Sequence, residues 1–217
     1  MAGDVAAILP LPARFADNAF APLAGEPALA RVARTMLGAA VVAVAEPLAD
    51  SVRETLAAHG LSDVDVVVAE GPGSRAQCLA AGVRYLKDLP RHVLIHDIRR
   101  PLTPESLRDR VITALQAGSP AAMPVLAVTD SVKVVDANGS VTRTLDRSTL
   151  RAVQYPRGFT VDQLSLLLAG RSSEEFDEVD EALRAGTPIT FVDGDSGAFA
   201  VELPRDAAFV EAIIADG

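Results

Sequence analysis

His92-Val93-Leu94-Ile95-His96-Asp97-Ile98-Arg99-Arg100-Pro101 is an apolar run that ends abruptly in an acid, two arginines and a proline. Continuous apolar strands that deliver polar side chains at their carboxyl ends belong to the parallel sheets of α/β proteins. Ligands bind at that edge of the sheet. A carboxylate there suits a metal ion, and guanidinium groups suit phosphate. Asp97 with Arg100 is therefore the leading local constellation. Its bland alternative is an Asp capping the next turn beside two solvated arginines.

Outward from this stretch, apolar runs alternate with helical spacing. Upstream, strands are expected over 5–9 (stopped by Pro10), 40–45 and 64–69. Helical patterns run from Glu26-Pro27 through Leu29, Val32, Ala33 and Met36-Leu37, through Leu48, Val52 and Leu56, and through Cys78, Leu79, Val83 and Leu86. Downstream come a helix over about 104–115 and a strand over 121–128. Such alternation specifies parallel strands with crossover helices, an α/β Rossmann-like fold with a mostly parallel sheet.

The alternation breaks after Asp130. Apolar segments at 131–135 and 140–145 flank Asp136-Ala137-Asn138-Gly139, and Asn-Gly is a strong hairpin signal. A β-hairpin arm over about 131–145 is expected, serving a dimer contact or covering a site. A helix over 161–168, an acidic helix over 173–184, strands over 190–192 and 198–201 and a helix after Pro204 complete the reading. No internal repeat or linker divides the 217 residues, so one domain is expected.

The chain is 49% apolar, yet no run approaches the ~20 residues of a membrane helix. With no signal-like segment and a single cysteine, Cys78, a soluble cytoplasmic protein is expected. A net charge of −9, no basic block and no Trp speak against nucleic acid as a partner. Lys87 and Lys133 are the only lysines, so a phosphate site must rely on arginine, backbone N–H groups or a metal.

Other candidates are weighed against simpler roles. Gly71-Pro72-Gly73-Ser74-Arg75 could offer N–H groups to an anion, or be a plain turn with Ser74 as N-cap. Arg147 could clamp a phosphate or pair with Asp146 at the surface. Glu174–Glu181 reads as a solvated helix face rather than a metal site. His92 and His96 have a zinc-like spacing, but on a strand they lie roughly 13 Å apart. His59 reads as a helix-end cap and Cys78 as a buried thiol. No serine occupies a Gly-x-Ser-x-Gly elbow.

Taken together, the order of motifs resembles the 2-C-methyl-D-erythritol 4-phosphate cytidylyltransferases, in their actinobacterial form, over nearly the whole chain. The stretches that carry the resemblance are Gly71-Pro72-Gly73-Ser74-Arg75, Val93-Leu94-Ile95-His96-Asp97 with Arg100, and Asp130-Ser131-Val132-Lys133. They continue with Val135-Asp136-Ala137-Asn138-Gly139, Asp146-Arg147, Leu150-Arg151-Ala152-Val153-Gln154, Gly186-Thr187-Pro188 and Val192-Asp193-Gly194-Asp195. The resemblance implies an α/β nucleotide-binding domain, a homodimer built through the hairpin arm, CTP and a sugar-alcohol phosphate as substrates, and Mg2+ as cofactor. It places Pro10, Leu11, Gly71, Arg75 and Cys78 around the nucleotide. Arg14 and Arg147 would be catalytic, Asp97, Arg100 and Ser131 would hold the second substrate, and Asp97 with Asp195 would hold the metal.

Departures from the family pattern cluster at the triphosphate. The family's glycine-rich loop after the first strand is here Pro10-Leu11-Pro12-Ala13-Arg14-Phe15, without a glycine. Two prolines remove N–H donors from it. Asn18 and Ala200 stand where the family has lysines, Phe176 where it has a threonine, and Cys78 where it has a serine. Three readings stay open: a cytidylyltransferase that uses arginines in place of lysines, a catalytically silent homologue retained as a binding or regulatory protein, and a nucleotidyltransferase for another sugar phosphate.

Overall fold

The computed structural model describes residues 4–36, 39–86 and 91–216; Leu37 and Lys87 lie outside them. Strands that are apolar on both faces need a helical layer on each side, and this one has both. β1 (Val5–Leu11) runs parallel to β4 (Ala39–Val44) on one side and β6 (His92–Ile95) on the other. β5 (Asp65–Val68) extends the sheet beyond β4. On the far side, β7 (Ala121–Ala127) pairs in parallel with β12 (Ile189–Asp193).

Between β6 and β7 lies a strand the sequence reading missed. β11 (Arg157–Thr160) is antiparallel to both, and β10 (Arg151–Val153) continues that antiparallel run along β7. Among the described residues the sheet has eight strands, and β10 and β11 run against the other six. Pro156 and the neighbouring arginines hid the alternation of these short strands.

Ile8, Val41, Ala43, Val93 and Ile95 face α4 (Arg75–Leu86), α6 (Val161–Ala169) and α7 (Glu178–Arg184). Leu9, Leu11, Val42, Val44 and Leu94 face α2 (Ala28–Thr35), α3 (Ala49–Ala58) and α5 (Glu105–Gln116). Full burial of each such Leu, Ile or Val contributes roughly 1.5–3 kcal/mol. α4 approaches β1 closely because Gly82 lacks a side chain; a Cβ there would stand 2.9 Å from Ile8 Cγ2. A satellite cluster joins Leu23 of β2 (Pro22–Leu23) and Ala28, which follows β3 (Glu26–Pro27), to Val201, Leu203 and Val210 of α8 (Ala207–Asp216).

Four boundaries differ from expectation. β1 does not stop at Pro10. Leu11 O accepts from Ala45 N at 3.1 Å and Ile8 O from His96 N at 2.9 Å, so alternate residues face β4 and β6. Pro10 faces β6, where pairing has ended at Ile8, and its missing N–H forfeits no ladder bond. α2 begins at Ala28, because Glu26-Pro27 belong to β3. The acidic helix begins at Glu178, not 173: Phe176 is left-handed (φ +44°), and Asp177 caps the helix by accepting from Val179 N and Asp180 N. Residues 198–201 form no strand, since Ala198 N turns back to Asp195 O at 3.1 Å. Its carbonyl receives side-chain donors from Gln154 and Arg100.

The expected hairpin is present. β8 (Lys133–Val135) and β9 (Val141–Thr144) pair antiparallel around Asp136, whose Oδ1 accepts from Asn138 N and Ser140 N at 2.9 Å each. No residue from 125 to 153 is buried, and the hairpin residues 133–144 enter none of the core clusters.

Candidate active site

Segments that leave the carboxyl ends of β1, β5 and β6 converge on one side of the sheet. Arg14 and Phe15 follow β1 in a short 3-10 turn that leads into α1 (Ala16–Phe20). The 70–74 turn delivers Arg75 at the start of α4, and Asp97–Arg100 follow β6. There a cavity of about 170 Å³ is lined by Arg14, Phe15, Arg75, Arg99, Tyr155, Glu175, Phe176 and Asp177. A wider, shallower hollow of about 630 Å³ lies between α5 and β12. Its arginine, Arg110, is already bonded to the carbonyls of Asp193 and Gly194 at 2.8 and 3.3 Å.

The wall of the small cavity is a buried ionic cluster. Glu178 is fully buried and accepts from Arg75, from Arg157 Nη1 at 2.5 Å and from the Tyr155 hydroxyl at 2.9 Å. Arg157 also reaches Asp177 Oδ2 at 3.1 Å. The Tyr155 ring carries three guanidiniums, with Arg157, Arg100 and Arg75 at 4.2, 5.5 and 5.8 Å from its centroid. Burial alone would lower the pKa of Arg75, but Glu178 lifts it above the ordinary arginine value. Burial, then Glu178, pushes the Tyr155 hydroxyl upward, so it stays a donor.

Asp97 is buried and clamped by its neighbour. Its Oδ1 accepts from Arg99 N at 2.9 Å and Arg99 Nε at 3.1 Å, and its Oδ2 from Arg99 Nη2 at 2.7 Å. Burial would raise its pKa; the Arg99 hydrogen bonds hold it below the usual carboxylate value. Arg100 is different. It donates to Ala198 O, its Nε is buried without a partner, and among the described residues it has no carboxylate partner. Burial lowers its pKa, with Arg157 and Arg99 adding repulsion. Four guanidiniums (Arg75, Arg99, Arg100, Arg157) thus gather with four carboxylates (Asp97, Asp177, Glu178 and, at 4.0 Å from Arg99, Glu202), and of the four only Arg100 makes no ion pair among the described residues.

The residues expected to act are only partly brought together. Arg14 and Arg75 line the cavity, but Arg14 is held by Glu175 at 2.7 Å and Arg75 by Glu178. Leu11 points into the core, and Pro10 is buried in β1. Gly71 and Gly73 are left-handed, and Ser74 and Gln77 form a reciprocal capping box at 2.8 and 3.2 Å. Cys78 lies beneath this turn, its thiol pushed up to about 11 by burial and donating to Gly73 O at 3.6 Å. Ser131 and Arg147 sit on the exposed arm. Arg147 donates to Thr129 O, not to Asp146, which caps Ser148 N at 3.0 Å instead.

A magnesium ion fits poorly. Both Asp97 oxygens are taken by Arg99, and Asp195 Oδ1 accepts from Gly197 N at 2.8 Å. Among the described residues no three His, Cys, Asp or Glu side chains are grouped to hold a metal. His92 opens β6 and His96 follows its end; both are buried and they form no metal group, and His92 lies 3.6 Å from Asp4.

Sequence reasoning overlooked Arg157 and Glu178, gave Arg99 and Tyr155 no individual role, and took the acidic run for a solvated face. Glu178 and Glu181 are in fact 0% and 2% exposed. The available signal was the choice of cation. A chain with many arginines and two lysines is equipped for buried, bidentate ion pairs.

A mostly parallel, helix-covered sheet with an arginine-rich carboxyl edge and a projecting hairpin defines an α/β protein of the nucleotidyltransferase-like class. A solved 4-diphosphocytidyl-2C-methyl-D-erythritol synthase from Anaerococcus prevotii DSM 20548 shares this fold, with a TM-score of 0.82 at 18% identity over 99% of this chain and 100% of that one. The cytidylyltransferase structure from Thermus thermophilus aligns with a TM-score of 0.74 at 28% identity over 98% and 99% of the two chains. A curated 2-C-methyl-D-erythritol 4-phosphate cytidylyltransferase from Rhodococcus opacus (strain B4) is 36% identical, covering 99% of this chain and 97% of its own length. The family model for 2-C-methyl-D-erythritol 4-phosphate cytidylyltransferase matches residues 14–216, and the chain belongs to that family.

Proposed function

We propose that this protein transfers a cytidylyl group from CTP to 2-C-methyl-D-erythritol 4-phosphate, releasing pyrophosphate, as a cytoplasmic homodimer. One observation carries the reading: Arg100 is a partly buried guanidinium, its Nε buried without a partner and no carboxylate paired with it among the described residues, at the edge where such folds bind ligands. Lacking an ion-pair partner in contact, its guanidinium suits a phosphate group.

In this reaction an oxygen of the acceptor phosphate forms a bond to the α-phosphorus of CTP. The bond from that phosphorus to the bridging oxygen breaks, and pyrophosphate leaves with the electron pair. Phosphoryl-transfer chemistry of this kind is accelerated mainly by positioning and charge stabilisation. Arg100 would hold the acceptor phosphate, with Arg147 reaching it from the arm. Arg75 and Arg99 would set the positive field at the cavity, and Arg14 would join them on leaving Glu175. The exposed Val135 (55%) and Val141 (63%) of the arm would be covered in the dimer.

The test is calorimetric titration with CTP, followed by a pyrophosphate-release assay with the sugar-alcohol phosphate. Saturable CTP binding and turnover are expected, with turnover reduced on the order of 10²-fold in Arg100→Ala. Light scattering should give twice the chain mass.

A second reading, a silent homologue that binds a phosphorylated ligand, is favoured by the blocked end of β1. Pro10 and Pro12 lack N–H groups, and the cavity of about 170 Å³ is smaller than the roughly 300 Å³ at which small-molecule sites usually begin. Binding of phosphate esters without any response to CTP would select this reading.

A further inference from the structure

We propose that Arg99 is the resident cation of Asp97, standing where a divalent metal would otherwise sit, so that phosphate groups are met at this edge by guanidiniums alone. The inference rests on the reading of this edge as a phosphate site. It departs from the metal-dependent chemistry that the family resemblance implies.

Geometry carries it. Arg99 engages both Asp97 oxygens through two side-chain nitrogens and a backbone N–H, a three-point fork that lysine cannot make. The Asp97 side chain is 2% exposed, whereas that of Arg99 is 34% exposed and lines the cavity. The carboxylate is therefore covered, and the positive charge it holds is the one on the accessible side. Arg99 is braced further by the Phe15 ring, 5.2 Å from its guanidinium carbon, and by Glu202 at 4.0 Å.

The surroundings disfavour a dication as well. Arg75 and Arg100 both interact electrostatically with Asp97, so a metal ion would enter beside three guanidiniums. Asp195, the other expected metal ligand, is engaged by Gly197 N and has Arg110 Nη2 at 3.9 Å. A guanidinium built into the chain is always charged, is only weakly hydrated, and can bind phosphate bidentately.

The test uses Mn2+ as a spectroscopic probe and pyrophosphate as the anion. Paramagnetic resonance should detect no Mn2+ bound by the wild type. Arg99→Gln and Arg99→Ala should each gain a site that Asp97→Asn, added to either, removes. Gln retains a donor to Asp97, which keeps one variant folded if the other is not. Pyrophosphate should bind the wild type equally well in EDTA and in Mg2+. In EDTA the Arg99 variants should bind it on the order of tenfold more weakly, and Mg2+ should restore the loss. Mn2+ binding by the wild type that is lost in Asp97→Asn would overturn the proposal, as would Arg99 variants that bind no Mn2+. Absence of pyrophosphate binding under every condition would sink the phosphate reading of the edge, while the Mn2+ result still decides which cation Asp97 holds.

Discussion

Arg157 donates to Glu178 across 2.5 Å, and their side chains are only 7% and 0% exposed. Glu178 also receives Arg75 and the Tyr155 hydroxyl, so one carboxylate organises the wall of the cavity. Removing one member of such a buried set leaves uncompensated charge, a far larger penalty than the net value of the pair.

Glu178→Gln should therefore destabilise the fold by about 3–5 kcal/mol. Glu175→Gln, which breaks the exposed pair with Arg14 (72% and 44% exposed), should cost less than about 1 kcal/mol. Urea denaturation of the two variants checks the contrast, and equal losses would contradict a desolvated cluster.

His96 should make stability depend on pH in a defined window. Burial, then Arg108, lowers its pKa from 6.5 to about 4, and the ring is kept neutral in the folded state. Above pH 6.5 both states are neutral and the contribution is complete. As pH falls from there toward about 4, the unfolded chain binds a proton that the folded chain refuses, and about 3 kcal/mol is lost. The Asp97 contribution, held by Arg99, goes at lower pH, as that carboxylate is protonated below its ordinary 3.8. Unfolding free energies at about pH 7 and about pH 4.5 should differ in the wild type and converge in His96→Gln.

Gly73 should tolerate nothing larger. A Cβ there would lie 2.4 Å from Ala45 Cβ and 2.7 Å from Ala45 Cα, at φ +67°. Gly73→Ala should cost about 2–4 kcal/mol from overpacking and strain together. Gly139→Ala, at φ +82° in open space, should cost about 1–2 kcal/mol from backbone conformation alone. Thermal melts of the pair separate the two causes.

Cys78 should be inert in the folded protein. It is fully buried with a thiol pushed up to about 11, so thiolate is scarce at neutral pH. Labelling with a disulfide reagent should proceed at the rate of opening and become immediate in denaturant.

The framework was legible because it rests on simple periodicities. The apolar runs that begin at Val5, Ala40 and His92 fall on β1, β4 and β6, and the Asn138-Gly139 turn closes a hairpin. The edge that carries Asp97 and Arg100 followed from the polar end of the 92–101 stretch. What stayed hidden depends on partners remote in sequence. Glu178 becomes buried only when Arg75 and Arg157 arrive, 103 and 21 residues away along the chain. Arg99, two residues from Asp97, could not be told from a solvated neighbour until its backbone turn was known. Strand β11 escaped because four residues with an arginine at one end carry too short a pattern.

The placement of β11 also orders events during synthesis. β5, β4, β1 and β6 can assemble once residue 95 has emerged, but β6 pairs on its other side with residues 157–160. Until those arrive, an apolar strand holds its hydrogen-bonding groups open to any passing chain. β7 is made in the interval and must wait, because β11 separates it from β6. The growing chain is thus most vulnerable to misassembly while the hairpin arm is still leaving the ribosome.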